Sequence, residues 1–224
     1  MKRLLCTALV SLVFLFPLFG EQFSVDGLTI FEGKKPVELG FTSTLDDGRE
    51  YPTTVRLFQA EERGRDCIVS VTNSEIIHVR SCVDIEKGTP VYTRIEEEGY
   101  EQAEVLITYH EDEVRVEYTE DGETRIDTLE NGRALDGYIL TLLFSVLPYE
   151  EMAGEKREFS FLDYRKPSLV DVMLTFEGMR EGYDVGDRRV GAVEYETRAD
   201  NFVVRMFTEP SHFYYGTRED VPVM

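Results

Sequence analysis

Hydrophobic and polar residues alternate with a period of two along most of this chain. Val105, Ile107 and Tyr109 alternate with Glu104, Leu106 and Thr108, and Val114, Val116 and Tyr118 with Glu113, Arg115 and Glu117. Further on, Val170, Val172, Leu174 and Phe176 alternate with Asp171, Met173 and Thr175. Successive side chains of a strand point to opposite faces, so each segment predicts a strand with one face in a core and the other largely wet. Weaker alternation predicts further strands at Phe23–Phe31, Thr54–Ala60, Val91–Ile95, Thr124–Leu129, Arg157–Leu162, Ala192–Thr197, Phe202–Phe207 and His212–Thr217. Turn signals separate them at Asp47-Gly48, Lys87-Gly88, Asp121-Gly122, Asn131-Gly132 and Gly186-Asp187. The expected fold class is therefore mainly β: a large antiparallel curved sheet or half-barrel.

One segment breaks this period. Asp136 is placed to cap a helix running from about Gly137 to Leu147, which Pro148 stops. Its apolar residues, including Tyr138, Ile139, Leu142, Leu143 and Phe144, fall around nearly the whole circumference, which predicts a helix covered on both faces. It is too short to span a bilayer, which takes roughly 20 residues. The economical place for it is the concave face of the sheet, as one buried central helix.

Two cysteines sit in a predicted hairpin, with strands Cys67–Thr72 and Ile76–Cys82 around a turn at Asn73-Ser74-Glu75. Pairing Cys67 directly with Cys82 sets Val69 opposite Arg80 and Val71 opposite His78, an inconsistent face. Shifting by one residue sets Val69 against Val79 and Val71 against Ile77, but puts the two cysteines on opposite faces. A bulge near Arg80 or Ser81 reconciles the two. Cys67 and Cys82 are thus a disulfide candidate, with two reduced thiols as the alternative. No C-x-x-C spacing points to a redox or metal role.

The N-terminus bears on that choice. Lys2 and Arg3 precede an apolar run, Leu4 to Phe16, that is broken by Pro17 and followed by Leu18-Phe19-Gly20. This is the layout of a secretory signal peptide, so residues 1–20 are expected to be removed, leaving a single domain over 21–224 that is periplasmic or secreted. An uncleaved N-terminal anchor is the alternative; no further segment of the mature chain is apolar enough to span a membrane. Export places Cys67 and Cys82 where disulfides form. Because the leader holds two basic residues and no acid, its loss takes the formal charge from -20 to -22. A chain this acidic lacks the clustered Lys and Arg that phosphate backbones require, which argues against nucleic acid as a partner.

Catalytic chemistry finds little support. There is no G-x-S-x-G nucleophile elbow, and Ser211-His212 are neighbours in a turn-like stretch rather than a base poised over a nucleophile. His78, His110 and His212 lack metal-ligand spacing, and His110 beside Glu111, Asp112 and Glu113 reads as a solvated turn. Glu61-Glu62 and Glu96-Glu97-Glu98 read as the wet rim of a sheet, although a glycosidase would need two such carboxylates across a cleft. No phosphate-cradling loop or βαβ unit is present. The expectation is a non-enzymatic protein with no catalytic residues, no metal site and no cofactor.

The order of elements carries a resemblance. A strand ladder follows Gly88-Thr89-Pro90-Val91-Tyr92, with Val105–Tyr109 and Val114–Tyr118 behind it. Next come the hairpin Glu120-Asp121-Gly122-Glu123, Leu135-Asp136-Gly137-Tyr138 leading into the apolar helix, and closing strands after Val190-Gly191. This resembles the periplasmic half-barrel superfamily of the lipoprotein carriers LolA and LolB, and is closer still to an uncharacterised family of envelope proteins of that shape. The resemblance implies a concave apolar face able to take a lipid or an acyl-modified protein. If the helix can shift, Tyr138, Leu142, Leu143, Phe144 and Leu147 are the expected ligand-binding residues; if it fills the interior permanently, they are core. The alternative is a structural or assembly module that meets an envelope protein partner; an unrecognised hydrolase is the minor one.

Overall fold

A computed structural model describes residues 37–44, 49–97, 104–130, 134–146, 153–185, 188–199, 211–218 and 221–223. The expected leader, the strands expected at Phe23–Phe31 and Phe202–Phe207, and Leu147 and Pro148 lie outside these residues. The described chain is mainly β with one helix among the described residues, as the alternation predicts.

The first sheet comprises β1 (Val37–Thr44), β2 (Glu50–Glu62), β3 (Arg65–Asn73), β4 (Ile77–Asp84), β5 (Pro90–Glu97), β6 (Glu104–Tyr109), β7 (Val114–Glu120) and β8 (Glu123–Leu129). These strands pair antiparallel in sequence order, with β1 and β8 at the two edges, so the sheet is open. Two of its turns are tight two-residue hairpins whose central residues have positive φ: Arg63 and Gly64 (52° and 74°), and Asp121 and Gly122 (49° and 83°). That geometry matches the right-handed twist of the flanking strands. Asp121-Gly122 is an overt turn signal, whereas Arg63-Gly64 is hidden between charged neighbours.

The chain then passes through the two-residue strand β9 (Ala134–Leu135) into α1 (Gly137–Val146). A second sheet follows, made of β10 (Lys156–Asp163), β11 (Ser168–Val185), β12 (Arg188–Ala199), β13 (Ser211–Arg218) and β14 (Val221–Val223). Strand β9 joins its far edge, parallel to β10. The strands are thus divided between two sheets, and α1 lies against β4 and β5 of the first and β14 of the second. One apolar core joins the three layers: Ile68, Ile95, Ile107 and Val116 from the first sheet, Ile139 and Leu143 from α1, and Phe159, Leu174 and Phe176 from the second.

The register of the β3–β4 hairpin differs from both expected alignments. Val69 lies opposite Cys82, Val71 opposite Arg80, and Cys67 opposite Asp84. Matching hydrophobic residues could not fix this register because both faces of these strands are buried. Ile68, Val79 and Val83 enter the main core, while Cys67, Val69 and Cys82 form a second apolar cluster on the other face. Arg80 sits in that second cluster without conflict, since its guanidinium pairs with Glu62 and bonds the Tyr92 hydroxyl. The bulge is one strand further on, where the β4–β5 pairing slips between Cys82 and Val83 and Val91 is the extra residue.

Candidate functional site

The helix is built into the sheet from its first residue. Asp136 follows β9 and accepts hydrogen bonds from the backbone N–H groups of Tyr138 (2.7 Å) and Ile139 (3.0 Å), the expected N-cap. Leu140 closes the first helical bond onto the Asp136 carbonyl at 3.0 Å. The cap is fully buried, and the β6 residue Tyr109 donates its hydroxyl proton to the Asp136 carboxylate. The same hydroxyl accepts the Asp136 backbone N–H at 3.2 Å. Thr93 of β5 also bonds this carboxylate and reaches Ser81 of β4 at 3.3 Å. One carboxylate thereby fastens the helix start to the sheet. Burial pushes its titration above the ordinary carboxylate range, against the opposing pull of its hydrogen bonds.

A second polar cluster adjoins this one. Tyr138, in the first helical turn, packs its ring against Tyr164 with centroids 6.5 Å apart. Tyr164, in the β10–β11 turn, donates to Glu97 at 2.8 Å, and Arg165 donates to the same oxygen at 3.0 Å. Tyr118 of β7 donates to the Tyr164 carbonyl. The cluster therefore ties β5 and β7 of the first sheet to a turn of the second. Burial raises the Tyr138 hydroxyl to about 12, so it is a neutral donor throughout the physiological range. Glu97 corrects an expectation: its side chain is only 6% exposed and lies inside, rather than on a wet rim. The period of two does contain the signal, since Thr93, Ile95 and Glu97 share one face, but the acidic run around Glu97 masked it.

The expected ligand-binding residues separate by depth. Leu142 and Leu143 are fully buried in the core shared by the sheets, and Tyr138 is partly buried against it. Phe144 belongs to α1, but its side chain, like all of Leu147, lies outside what the structure describes. Cys67 and Cys82 are buried free thiols on the face of the first sheet opposite the helix. Sequence reasoning singled out neither Tyr109, Thr93 and Ser81 nor Tyr164 and Arg165. Each is an ordinary strand or turn residue until folding brings it to a carboxylate or, for Ser81, to Thr93. His110 and its acidic neighbours form the exposed turn expected of them, closed by a bond from the His110 N–H to the Glu113 carbonyl at 2.9 Å.

These features define a class: an antiparallel β protein whose two sheets enclose one apolar helix, with that helix clamped at its start by a buried carboxylate. Residues 42–224 match the model of the family described as "Protein of unknown function (DUF3108)", and the chain belongs to that family. Neither the curated proteins nor the solved structures yield a match.

Proposed function

We propose that this chain is a non-enzymatic protein of the cell envelope, exported by its N-terminal segment, that carries or senses a hydrophobic ligand such as a lipid or an acyl-modified protein. The observation that carries this reading is how α1 is held. Asp136 caps its first turn and Tyr138 packs its ring on Tyr164, whereas Ile139, Leu140, Leu142 and Leu143 pack into the apolar core. A helix capped at its start and packed by apolar side chains in its described turns is a plug that an acyl chain can replace. Displacing Leu142 and Leu143 from the sheets in favour of an acyl chain exchanges one apolar partner for another and leaves the cap intact. The resemblance in element order to LolA and LolB supports the same reading.

The test is native mass spectrometry and organic extraction of the exported chain, followed by titration with a fluorescent fatty acid. A co-purifying lipid, or saturable uptake that alters the Tyr138 environment, is the expected result. A chain that arrives empty and takes up no probe overturns the reading. The full burial of Ile139, Leu142 and Leu143 in the core shared by the two sheets favours one alternative, an assembly module working through its acidic exterior. Capture of a basic envelope protein at low salt, with release at high salt, would support that alternative.

A further inference from the structure

We propose that Cys67 and Cys82 are a redox pair whose oxidation bridges β3 and β4 on the face of the first sheet opposite the helix. This inference is independent of the ligand reading. Three observations bear on it. Both side chains are completely buried, in a small cluster with Val69, Val71, Val91 and Tyr92 that is separate from the main core. They are diagonal neighbours across the ladder, since Cys67 lies opposite Asp84 and Cys82 opposite Val69. The β4–β5 ladder is also interrupted immediately after Cys82, where Val91 of β5 is the extra residue.

Diagonal positions in an antiparallel pair lie about 7–8 Å apart between Cα atoms, just beyond the usual disulfide span of about 4.4–6.8 Å. Closure therefore needs a small approach of the strands at Cys82, next to the point where the ladder to β5 is interrupted. A bridge formed with that distortion is more easily reduced than an unstrained one. The chemistry is thiol–disulfide exchange with a disulfide-bearing oxidant. One cysteine, as thiolate, attacks an oxidant sulfur and expels the first oxidant thiol. The second cysteine then attacks the mixed disulfide and expels the other. Two protein thiols lose two protons and two electrons, and one oxidant disulfide becomes two thiols.

Burial holds both sulfurs in the thiol form in the folded chain, which makes them poor nucleophiles there. A roof lies over the pair's cluster, with Arg80 bonded to Glu62 and the Tyr92 hydroxyl and Arg63 lying 4.6 Å from the Tyr92 ring centroid. Oxidation accordingly takes place while the hairpin is open, during folding, and the closed sheet then protects the product.

The full chain is unfolded, reduced, refolded in a mixed glutathione and glutathione-disulfide buffer, acid-quenched, alkylated and digested. The expected result is a linked peptide joining Cys67 to Cys82, lighter than its reduced parts by two hydrogen atoms. Its thermal midpoint should fall by roughly 5–10 °C on reduction. Recovery of both residues as separate alkylated peptides from the refolded chain overturns the proposal, as does linkage of either only to glutathione or to Cys6. Cys82→Ser should abolish the linkage and the reduction-dependent shift. If that variant does not fold, the oxidised and reduced forms of the unaltered chain decide the question on their own.

Discussion

Asp136 shows how much one residue can hold. Its carboxylate satisfies two orphan amide donors of α1 and accepts the hydroxyl of a buried tyrosine, so replacement by alanine leaves several polar groups unpaired at once. Losing the cap costs about 1–2 kcal/mol and stranding the Tyr109 hydroxyl about 1–3 more, so Asp136→Ala should destabilise the fold by about 2–5 kcal/mol in urea unfolding. Asp136→Asn keeps an acceptor for the cap and should cost less. The titration of Asp136 adds a pH test with a definite sign. Because burial raises its folded-state pKa above the ordinary value of 3.8, the folded chain binds its proton more tightly than the unfolded chain does. The stability it contributes is complete below that ordinary value and is lost as pH rises through the folded pKa. The cost of Asp136→Asn, which never ionises, should therefore be larger near pH 4 than at pH 7. A cost that grows with pH over that interval would contradict the assignment.

At the level of elements, legibility in the sequence followed burial. Strands with one buried face, such as β6 and β7, are plain in the alternation, whereas in β11 the expected inward residue Val170 is 45% exposed and the pattern holds only from Val172 to Phe176. The helix is plain because its apolar run has the wrong period and a capping Asp before it. Three elements were not legible: β1 (Val37–Thr44) has little alternation, while β9 and β14 are too short to show any. The β3–β4 register was hidden for the opposite reason, since with both faces buried no pattern prefers one alignment. The polar half of the candidate site was equally hidden, because Glu97 and Tyr164 meet only through the packing of two sheets. Two substitutions test the elements directly. Leu143, wholly buried in α1, should cost about 2–5 kcal/mol when cut to alanine, as in other packed cores. Gly178 follows the extra residue Glu177 in the β11–β12 pairing and has φ +95°, while an added Cβ would also stand 3.4 Å from that of Ala153. Gly178→Ala should therefore destabilise by about 1–2 kcal/mol through backbone strain, despite ordinary contact distances, and calorimetry of the two variants would separate strain from lost packing.

For the whole molecule the governing quantity is a formal charge of -20 over 224 residues. Many of its arginines are already committed on the outside of the first sheet, where Arg94 meets both Glu96 and Glu104 at 3.1 Å and Arg115 meets Glu117 at 3.1 Å. Exposed pairs of this kind contribute about 0–1 kcal/mol each, and salt weakens them only locally. The uncompensated acids repel one another over much longer distances, because screening lengths are about 30 Å at 0.01 M salt and about 8 Å at 0.15 M. Added salt should thus relieve more repulsion than it removes attraction, and the thermal midpoint should rise between these two concentrations. A falling midpoint would mean that the paired arginines outweigh the surplus acids. The same measurement sharpens the choice between functions. Salt that stabilises the chain would weaken capture of a basic partner by its acidic exterior, whereas binding of an acyl chain between α1 and the sheets should persist or strengthen. Following midpoint, partner capture and fatty-acid uptake over one salt series therefore separates the two readings by the sign of their response.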